Sequence, residues 1–206
     1  TFGQQRIIAN EDELPYTEMI NNALIKEHAN NQHVAYLNKR FTEMKRMHTE
    51  TKLANERLGI GAMAPDFSIA TIKGDTIRLS SLRGKIVLLN FWSPRCEDCV
   101  ALNHRLKVRY EKYSPMGFDI LNIGIEDNEP FWRKAVNSID MPWHQGNDLM
   151  GLNSPLLSLY KINDNIPYTL LIDKEGKIIT KGLSIDSLLV QIRYLVTGSA
   201  KLPKTE

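Results

Sequence analysis

Residues 86–99 read IVLLNFWSPRCEDC, and this stretch decides the fold. Its first half, Ile86–Trp92, is an almost continuous apolar run, which is typical of a central strand covered on both faces. Its second half brings Cys96 and Cys99 to the start of residues 97–113, whose composition and spacing predict a helix. The sequence therefore predicts a buried strand that passes directly into a helix, with two cysteines at the junction.

The two cysteines are placed for redox chemistry. Cys96 falls in the first turn of the predicted helix, where free N–H groups and the helix dipole stabilise a thiolate. Cys99 lies three residues later on the same helical face, so the two sulfurs can alternate between a dithiol and a disulfide. We therefore assign catalysis to this pair: Cys96 attacks a substrate disulfide, and Cys99 resolves the mixed disulfide.

Other uses of a cysteine pair fit this sequence less well. A scaffold stapled by disulfides needs more cysteines than the two in this chain. A structural zinc site needs four ligands, and His104 is the only histidine near the pair in sequence. We accordingly expect no metal and no cofactor, with the cysteine pair itself as the redox centre.

The remainder of the chain around this junction alternates between strands and helices. Strands are predicted at residues 66–72, 76–79, 118–125, 168–173 and 177–181. Helices are predicted at residues 129–138, 155–160 and 184–196. This order predicts an α/β fold with a central mixed sheet that is flanked by helices and ends in an antiparallel hairpin.

Residues 12–58 form a separate helical region in the sequence. They contain no glycine and are rich in good helix formers, with a break expected at Asn30-Asn31. Apolar residues recur in this region at helical spacing, and we expect the side chains of the last three to be covered by protein: Val34, Leu37, Phe41 and Met44. The stripe packs either on the chain's own globular domain or on a partner.

Composition limits the class of protein. The 206 residues carry a net charge of +2 and are 42% hydrophobic, which is normal for a globular protein and gives no reason to expect a nucleic-acid partner. No apolar run approaches the ~20 residues that span a bilayer. The N-terminus has no signal-peptide character and no initiator Met, so we interpret the chain as a processed or trimmed product.

Residues 61–197 resemble the thioredoxin-like domain of the TlpA/ResA type, the extracytoplasmic, membrane-facing branch of the thioredoxin family. The motifs that carry the likeness are Ala64-Pro65-Asp66-Phe67, the segment 81–85 (SLRGK), Leu89-Asn90-Phe91-Trp92, the cysteine pair and the segment 166–177 (IPYTLLIDKEGK). The resemblance implies a thioredoxin-like domain at 61–206 behind a helical N-terminal extension at 1–60. It also implies a protein-disulfide reductase in the periplasm or anchored in the membrane facing it.

The resemblance further implies a substrate-binding set. Pro167 matches the family's cis-proline opposite the cysteine pair, and Ile166 before it would offer its backbone to an extended substrate segment. Trp92 and Arg95 complete the set. Arg95, which stands where thioredoxins usually carry Trp, would either stabilise the Cys96 thiolate or remain a solvated surface residue. The implied partners are a protein disulfide and an upstream thiol donor, with a membrane tether in the full-length product.

The chain departs from the family in its acidic residues. Glu97-Asp98 lies between the cysteines, where carboxylates disfavour a neighbouring thiolate. Asn90 stands in place of thioredoxin's buried Asp, and Leu102 in place of the Glu of ResA-like proteins. Both familiar buried carboxylates are therefore absent, and we expect slow resolution by Cys99 unless Glu126 or Asp127 serves as the base.

Two other functions share parts of this pattern. A thiol peroxidase of the peroxiredoxin class would explain the Ala-Pro-Asp-Phe start and Ser93, although Leu89 stands where such enzymes carry Pro. A copper-delivery protein of the SCO type would use a distant histidine such as His144, but that type has three residues between its cysteines. Peroxide consumption and copper titration distinguish these alternatives from the disulfide reductase.

Overall fold

The computed structural model describes residues 14–163 and 165–198, without the side chains of 14 and 50–56. The first two residues of the predicted helical region, 12 and 13, lie outside this range. The chain divides into two compact units, with the division between Glu56 and Arg57. Within the described residues, no helix is long and apolar enough to cross a membrane.

Within the described residues, the first unit contains α1 (Leu14–Glu27) and α2 (Gln32–Arg57). The break between them confirms the one predicted at Asn30-Asn31. Asn31 produces it, because its Oδ1 accepts hydrogen bonds from the N–H groups of His33 (2.9 Å) and Val34 (3.4 Å). An asparagine that caps the free N–H groups in this way starts a new helix.

The apolar stripe of α2 is only partly covered. Val34 and Phe41 are buried, and Met44 is half-buried. Leu37, however, is 45% exposed, so the expectation that protein covers it is wrong.

The physical reason is that polar residues of α2 bond to α1. Asn38 Oδ1 accepts a hydrogen bond from the Nδ2 of the buried Asn21, and Lys45 pairs with Glu18. Asn38 and Lys45 share one helix face with Val34 and Phe41, because these four positions are spaced by three or four residues. Leu37 lies beside that face, and a pattern of apolar residues alone does not reveal the polar contacts.

The second unit contains all the described strands and the other helices. Its strands are β1 (Ser68–Ala70), β2 (Thr76–Arg78), β3 (Ile86–Trp92), β4 (Phe118–Gly124), β5 (His144–Asn147), β6 (Tyr168–Ile172) and β7 (Ile178–Lys181). Its helices are α3 (Glu97–Tyr113), α4 (Glu129–Ile139), α5 (Pro155–Leu159) and α6 (Ile185–Thr197).

Five of the strands form one mixed sheet in the order β5-β4-β3-β6-β7. β3, β4 and β5 are parallel, whereas β6 runs antiparallel to β3 and to β7. β1 and β2 make a separate antiparallel hairpin. The predicted α/β fold with a mixed sheet flanked by helices is confirmed.

Two strands differ from the prediction. β5 was not predicted, because its sequence, HQGN, contains no aliphatic residue and shows no apolar alternation. β1 is shorter than the predicted 66–72. Asp66 lies outside the strand, and its carboxylate accepts hydrogen bonds from the N–H and Oγ of Ser80 and from Arg78.

The central strands β3 and β4 are buried along their whole length. Val87, Leu89 and Phe91 face one side of the sheet, where the β1–β2 hairpin and α5 lie. Leu88 and Trp92 face the other side and pack against α3, α4 and α6. Since successive residues of a strand point to opposite faces, Asn90 belongs to the α3 side as well.

Candidate active site

The cysteine pair lies where β3 passes into α3. Cys96 is the N-cap residue of α3, with extended backbone angles (φ −99°, ψ 111°), and its Sγ accepts a hydrogen bond from the N–H of Cys99 at 3.1 Å. The two cysteines form a disulfide with a Cα–Cα distance of 5.2 Å. The same N–H group would stabilise a Cys96 thiolate after reduction, because free N–H groups at a helix start favour negative charge.

The two sulfurs differ in access. Cys96 is partly exposed, whereas Cys99 is fully buried in the apolar layer between the sheet and α3. A substrate disulfide can therefore approach Cys96 and not Cys99. This asymmetry is the one that an attacking and a resolving cysteine require.

The Ile166–Pro167 peptide bond is cis, as predicted. The carbonyl oxygen of Ile166 lies 3.5 Å from Cys96 Sγ, so this turn lies against the cysteine pair. The N–H of Ile166 has no hydrogen-bond partner in the part of the chain that the structure describes. An unpaired backbone group beside the reactive sulfur can bind an extended segment by strand addition.

Trp92 does not lie where a substrate could touch it. Its side chain is fully buried on the α3 side of the sheet, and its carbonyl oxygen accepts a hydrogen bond from the N–H of Ile125 at 2.7 Å. We therefore correct its assignment to the substrate-binding set. Trp92 is the last residue of β3, and its large apolar side chain packs in the layer that also contains Cys99.

Arg95 is held by a buried carboxylate. Its Nε and Nη2 donate to the two oxygens of Glu126 at 2.9 and 3.2 Å, and its guanidinium lies over the ring of Phe131, 4.9 Å from the centroid. The Arg95 side chain is 66% exposed, whereas that of Glu126 is 2% exposed. The hydrogen bonds and the charge of Glu126 raise the pKa of Arg95. Its positive charge is therefore paired with Glu126 while most of its side chain is solvated, and stabilisation of the Cys96 thiolate by Arg95 stays a prediction.

The two proposed replacement bases differ in position. Glu126 is buried and also accepts a hydrogen bond from the N–H of Asn128, so all its contacts hold it beside Arg95. Asp127 is exposed, and its Cβ lies where a side chain on Gly151 would contact it. Glu126 is thus buried and paired with Arg95, whereas Asp127 lies at the surface.

Sequence reasoning missed a cluster of three buried amides on the α3 side of the sheet, which we call the amide cluster: Asn90, Asn103 and Asn122. Asn90 Nδ2 donates to Oδ1 of Asn103 (3.3 Å) and of Asn122 (3.0 Å), and Asn122 Nδ2 donates to Asn103 Oδ1 (3.0 Å). A signal was present: Asn90 is the one polar residue of the run IVLLNFW, Asn122 lies with Asp119 in the mostly apolar run FDILNIG, and Asn103 is one turn after Cys99.

The histidines considered for metal binding lie elsewhere. His104 is exposed on α3. His144 is paired in register with Leu121, and its Nε2 lies 3.6 Å from Asp119 Oδ2. Leu121 faces the side of the sheet opposite to Cys99, so His144 is not placed to share a copper ion with the cysteines. Across residues 14–163 and 165–198, no group of three or more potential ligands could hold a metal ion.

Comparison with known proteins gives a consistent set of relatives. The model of the AhpC/TSA family matches residues 60–181. The thiol-disulfide oxidoreductase ResA of Bacillus cereus is 29% identical over 126 residues, which are 61% of this chain and 70% of the relative. ResA of Oceanobacillus iheyensis is 30% identical over 141 residues, covering 65% of this chain and 71% of the relative.

Solved structures of thiol-disulfide oxidoreductases also resemble the chain. The thioredoxin domain of a thiol-disulfide oxidoreductase from Bacteroides vulgatus matches with a TM-score of 0.62 and 28% identity, covering 68% of this chain and 99% of that one. A thiol-disulfide oxidoreductase from Bacteroides fragilis matches with a TM-score of 0.60 and 28% identity, covering 65% and 98%. In both cases almost the whole solved chain corresponds to part of the present one.

Proposed function

The chain belongs to the AhpC/TSA family and is a thiol–disulfide oxidoreductase, and from this premise we propose that it is a protein-disulfide reductase that works outside the cytoplasm. The observation that carries the proposal is the access of the two sulfurs. Cys96 is partly exposed at the start of α3, next to the cis Ile166–Pro167 turn, while Cys99 is buried. No cofactor is needed, because the cysteine pair holds the two electrons that are exchanged.

In the proposed reaction, the Cys96 thiolate attacks one sulfur of a substrate disulfide. A Cys96–substrate bond forms, and the substrate's S–S bond breaks with its electron pair on the other substrate sulfur, which takes a proton from solvent. Cys99, as a thiolate, then attacks Cys96 Sγ and releases the first sulfur as a second thiolate. The substrate leaves reduced by two electrons, the pair leaves oxidised, and an upstream thiol donor restores the dithiol.

The charges around Cys96 favour the reducing direction. Strongly oxidising members of this class stabilise their reduced form, and thiolate stabilisation is how they do so. Here Glu97 and Asp98 lie exposed in the first turn of α3, and the charge of Arg95 is already paired with Glu126. The neighbouring side-chain charges therefore add little to the stabilisation that the helix-start N–H gives the Cys96 thiolate, and this supports the reducing direction.

Equilibration against glutathione buffers tests the direction. We expect a reduction potential nearer to the about −270 mV of thioredoxin than to the about −120 mV of the oxidant DsbA. A potential near the latter value would identify an oxidase instead. Peroxide consumption faster than disulfide reduction would favour the thiol peroxidase.

Capture of mixed disulfides tests both the substrate class and the location. A Cys99→Ser variant should retain a protein substrate on Cys96 by an S–S bond that a reductant releases. The double variant Cys96→Ser, Cys99→Ser is the control. The TlpA/ResA resemblance supports an extracytoplasmic site of action, so we expect exported proteins among those captured. Exclusively cytoplasmic proteins would contradict the location.

We further propose that the thioredoxin-like unit folds by itself, with the N-terminal helices as an extension that contacts a partner or the same chain. The division of the chain between Glu56 and Arg57 supports this proposal. So does the match to solved chains that consist almost entirely of the corresponding region.

A further inference from the structure

The orientation of the amide cluster is fixed by its own hydrogen bonds together with a contact of Asn122, whose Nδ2 also donates to Met141 Sδ at 3.5 Å. Asn103 Oδ1 accepts from two amide N–H groups, and Asn90 Nδ2 donates to two amide oxygens. Rotating either amide by half a turn would bring donor against donor or acceptor against acceptor. Rotating all three amides together would keep their mutual bonds but would place Asn122 Oδ1 against Met141 Sδ, where no hydrogen can be donated, so the orientation follows from the three bonds and this contact.

This orientation leaves one acceptor and one donor over. Asn90 Oδ1 and Asn103 Nδ2 are both buried and have no hydrogen-bond partner among the described residues. They belong to two side chains that are bonded to each other through their remaining amide atoms. Buried polar atoms of this kind are normally satisfied by an internal water, and a donor beside an acceptor is what one water needs.

The unpaired donor is close to the resolving cysteine. Asn103 lies four residues after Cys99 on α3, and both side chains are buried on the face that packs on the sheet. Residues so spaced have Cβ atoms about 5–6 Å apart, and helix side chains point back towards the N-terminus. Two hydrogen bonds through one water, each about 3 Å, span that separation.

We propose that Asn90 Oδ1 and Asn103 Nδ2 hold an internal water molecule against Cys99 Sγ, and that this water solvates the Cys99 thiolate during resolution. The inference rests on the proposed role of Cys99 as the resolving cysteine. Asn90 and Asn103 are positioning residues here, because they act through the water and do not touch the reacting sulfurs themselves.

The chemistry explains why uncharged amides serve this purpose. Cys99 loses its proton to solvent before it attacks Cys96 Sγ, and a sulfur anion then stands in an apolar layer. A water molecule donates a hydrogen bond to that anion, which favours the charged form. A carboxylate would act as a base that takes the proton of Cys99, whereas the amide-held water leaves proton removal to solvent and stabilises the anion that results.

The test follows the two steps separately in the reduced protein, with an aromatic disulfide whose thiol absorbs light on release. The first release reports attack by Cys96, and the second reports resolution by Cys99. In Asn103→Leu we expect the second release to be about tenfold slower at pH 7, with its pH profile shifted upwards by about one unit. The first release should be unchanged.

Gln145→Leu is the matched control. Gln145 is 2% exposed, its side-chain amide also has no partner in the described chain, and it pairs in register with Asn122. It lies on β5, two strands away from Asn90, so both releases should keep their wild-type rates and profile. A wild-type second step in Asn103→Leu, or equal slowing in both variants, would overturn the inference.

A measurement on the unmodified protein covers the case in which Asn103→Leu does not fold. NMR cross-relaxation between water and the side-chain amide protons of Asn103 should show a long-lived bound water in the reduced protein. No such cross-peak would overturn the inference. If unmodified protein showed no first release at all, the proposed reductase function would fail instead, so the two failures are distinguishable.

Discussion

The carbonyl oxygen of Ile166 lies 3.5 Å from Cys96 Sγ, although 70 residues separate them in sequence. The contact arises because β6, which starts just after Pro167, pairs antiparallel with β3, which ends just before the cysteines. A substrate strand that hydrogen-bonds to the backbone of Ile166 would consequently place its own disulfide at Cys96. The fold thus brings the proposed docking edge and the proposed nucleophile together.

The Arg95–Glu126 pair should matter more for stability than its exposed arginine suggests. Arg95→Ala leaves a buried carboxylate without its partner, so we expect a clear fall in the urea midpoint of unfolding. The same change in a Glu126→Gln background leaves a neutral amide and should cost less. Equal losses in the two backgrounds would show that the arginine contributes through packing on Phe131 rather than through its charge.

Asp119 should make the stability depend on pH in the acid range. Burial opposes its ionisation, but the His144 imidazole, the Lys85 ammonium at 2.6 Å and the Ile120 N–H outweigh it and lower its pKa to about 2. Because the folded-state pKa lies below that of the unfolded chain, this stabilisation is complete above about pH 4 and is lost as the pH falls to about 2.

Urea unfolding of Asp119→Asn between pH 7 and pH 2 measures this effect. The lowered pKa of Asp119 corresponds to about 2 kcal/mol in the free energy of unfolding at pH 7. The difference in this free energy between variant and wild type should close near pH 2. Asp140→Asn is the control, because Asp140 pairs with Lys107 while its side chain is 85% exposed, and it should change the free energy of unfolding by less than about 1 kcal/mol. A gap that does not vary with pH would contradict the assignment.

A carboxylate installed near Cys99 should speed the second thiol release near pH 7, since it supplies the missing base. We expect this of both Asn90→Asp and Leu102→Glu. Leu102 is 1% exposed among apolar side chains, so its substitution should cost about 3 kcal/mol or more of stability. Asn90→Asp should also destabilise, because Asn90 donates two hydrogen bonds that a carboxylate cannot donate.

Val108→Glu adds the same charge to α3 at a position that is 72% exposed, so it serves as the control for Leu102→Glu. Its second release should have the wild-type rate. If neither installed acid accelerates the step, proton removal does not limit resolution. If a fast step that does not vary with pH is found in the unmodified protein, Glu126→Gln should then slow it, since Glu126 would be the base.

The N-terminal unit should be dispensable for the redox reaction. Deletion of residues 1–56 should leave a folded, redox-active protein by circular dichroism and disulfide exchange. Leu58 is 5% exposed and packs in the core of the second unit, so deletion of residues 1–58 should be less stable by about 2 kcal/mol or more. An unfolded product of the shorter deletion would mean that the first unit is part of the core.

The elements with long apolar runs were predictable from the sequence. β3 and α3 have the predicted ends, because a seven-residue apolar run followed by polar helix formers leaves few other structures. β5 was not predictable in this way. Its last three residues, QGN, are buried because β4 pairs with them on one side and because Gly146 lets Ile69 approach closely. Both are long-range contacts.

The candidate site was likewise predictable only where it depends on local sequence. The redox pair and its cis-proline are local motifs, so the sequence indicates them. The pairing of Arg95 with Glu126 and the contact of Asn90 with Asn103 join residues on different elements, and their chemistry depends on distances that the sequence does not contain. Trp92 shows the reverse error, since a residue next to a motif was expected at the surface and is fully buried.

The central claim is that Cys96 is the attacking sulfur and Cys99 the resolving one, and competitive alkylation of the reduced protein tests it most directly. The protein is treated with a limiting amount of iodoacetamide at about pH 6, and the label is located by peptide mapping. The account predicts modification of Cys96 first, because it is partly exposed and accepts an N–H bond at the helix start. Label that appears first on Cys99 would contradict it.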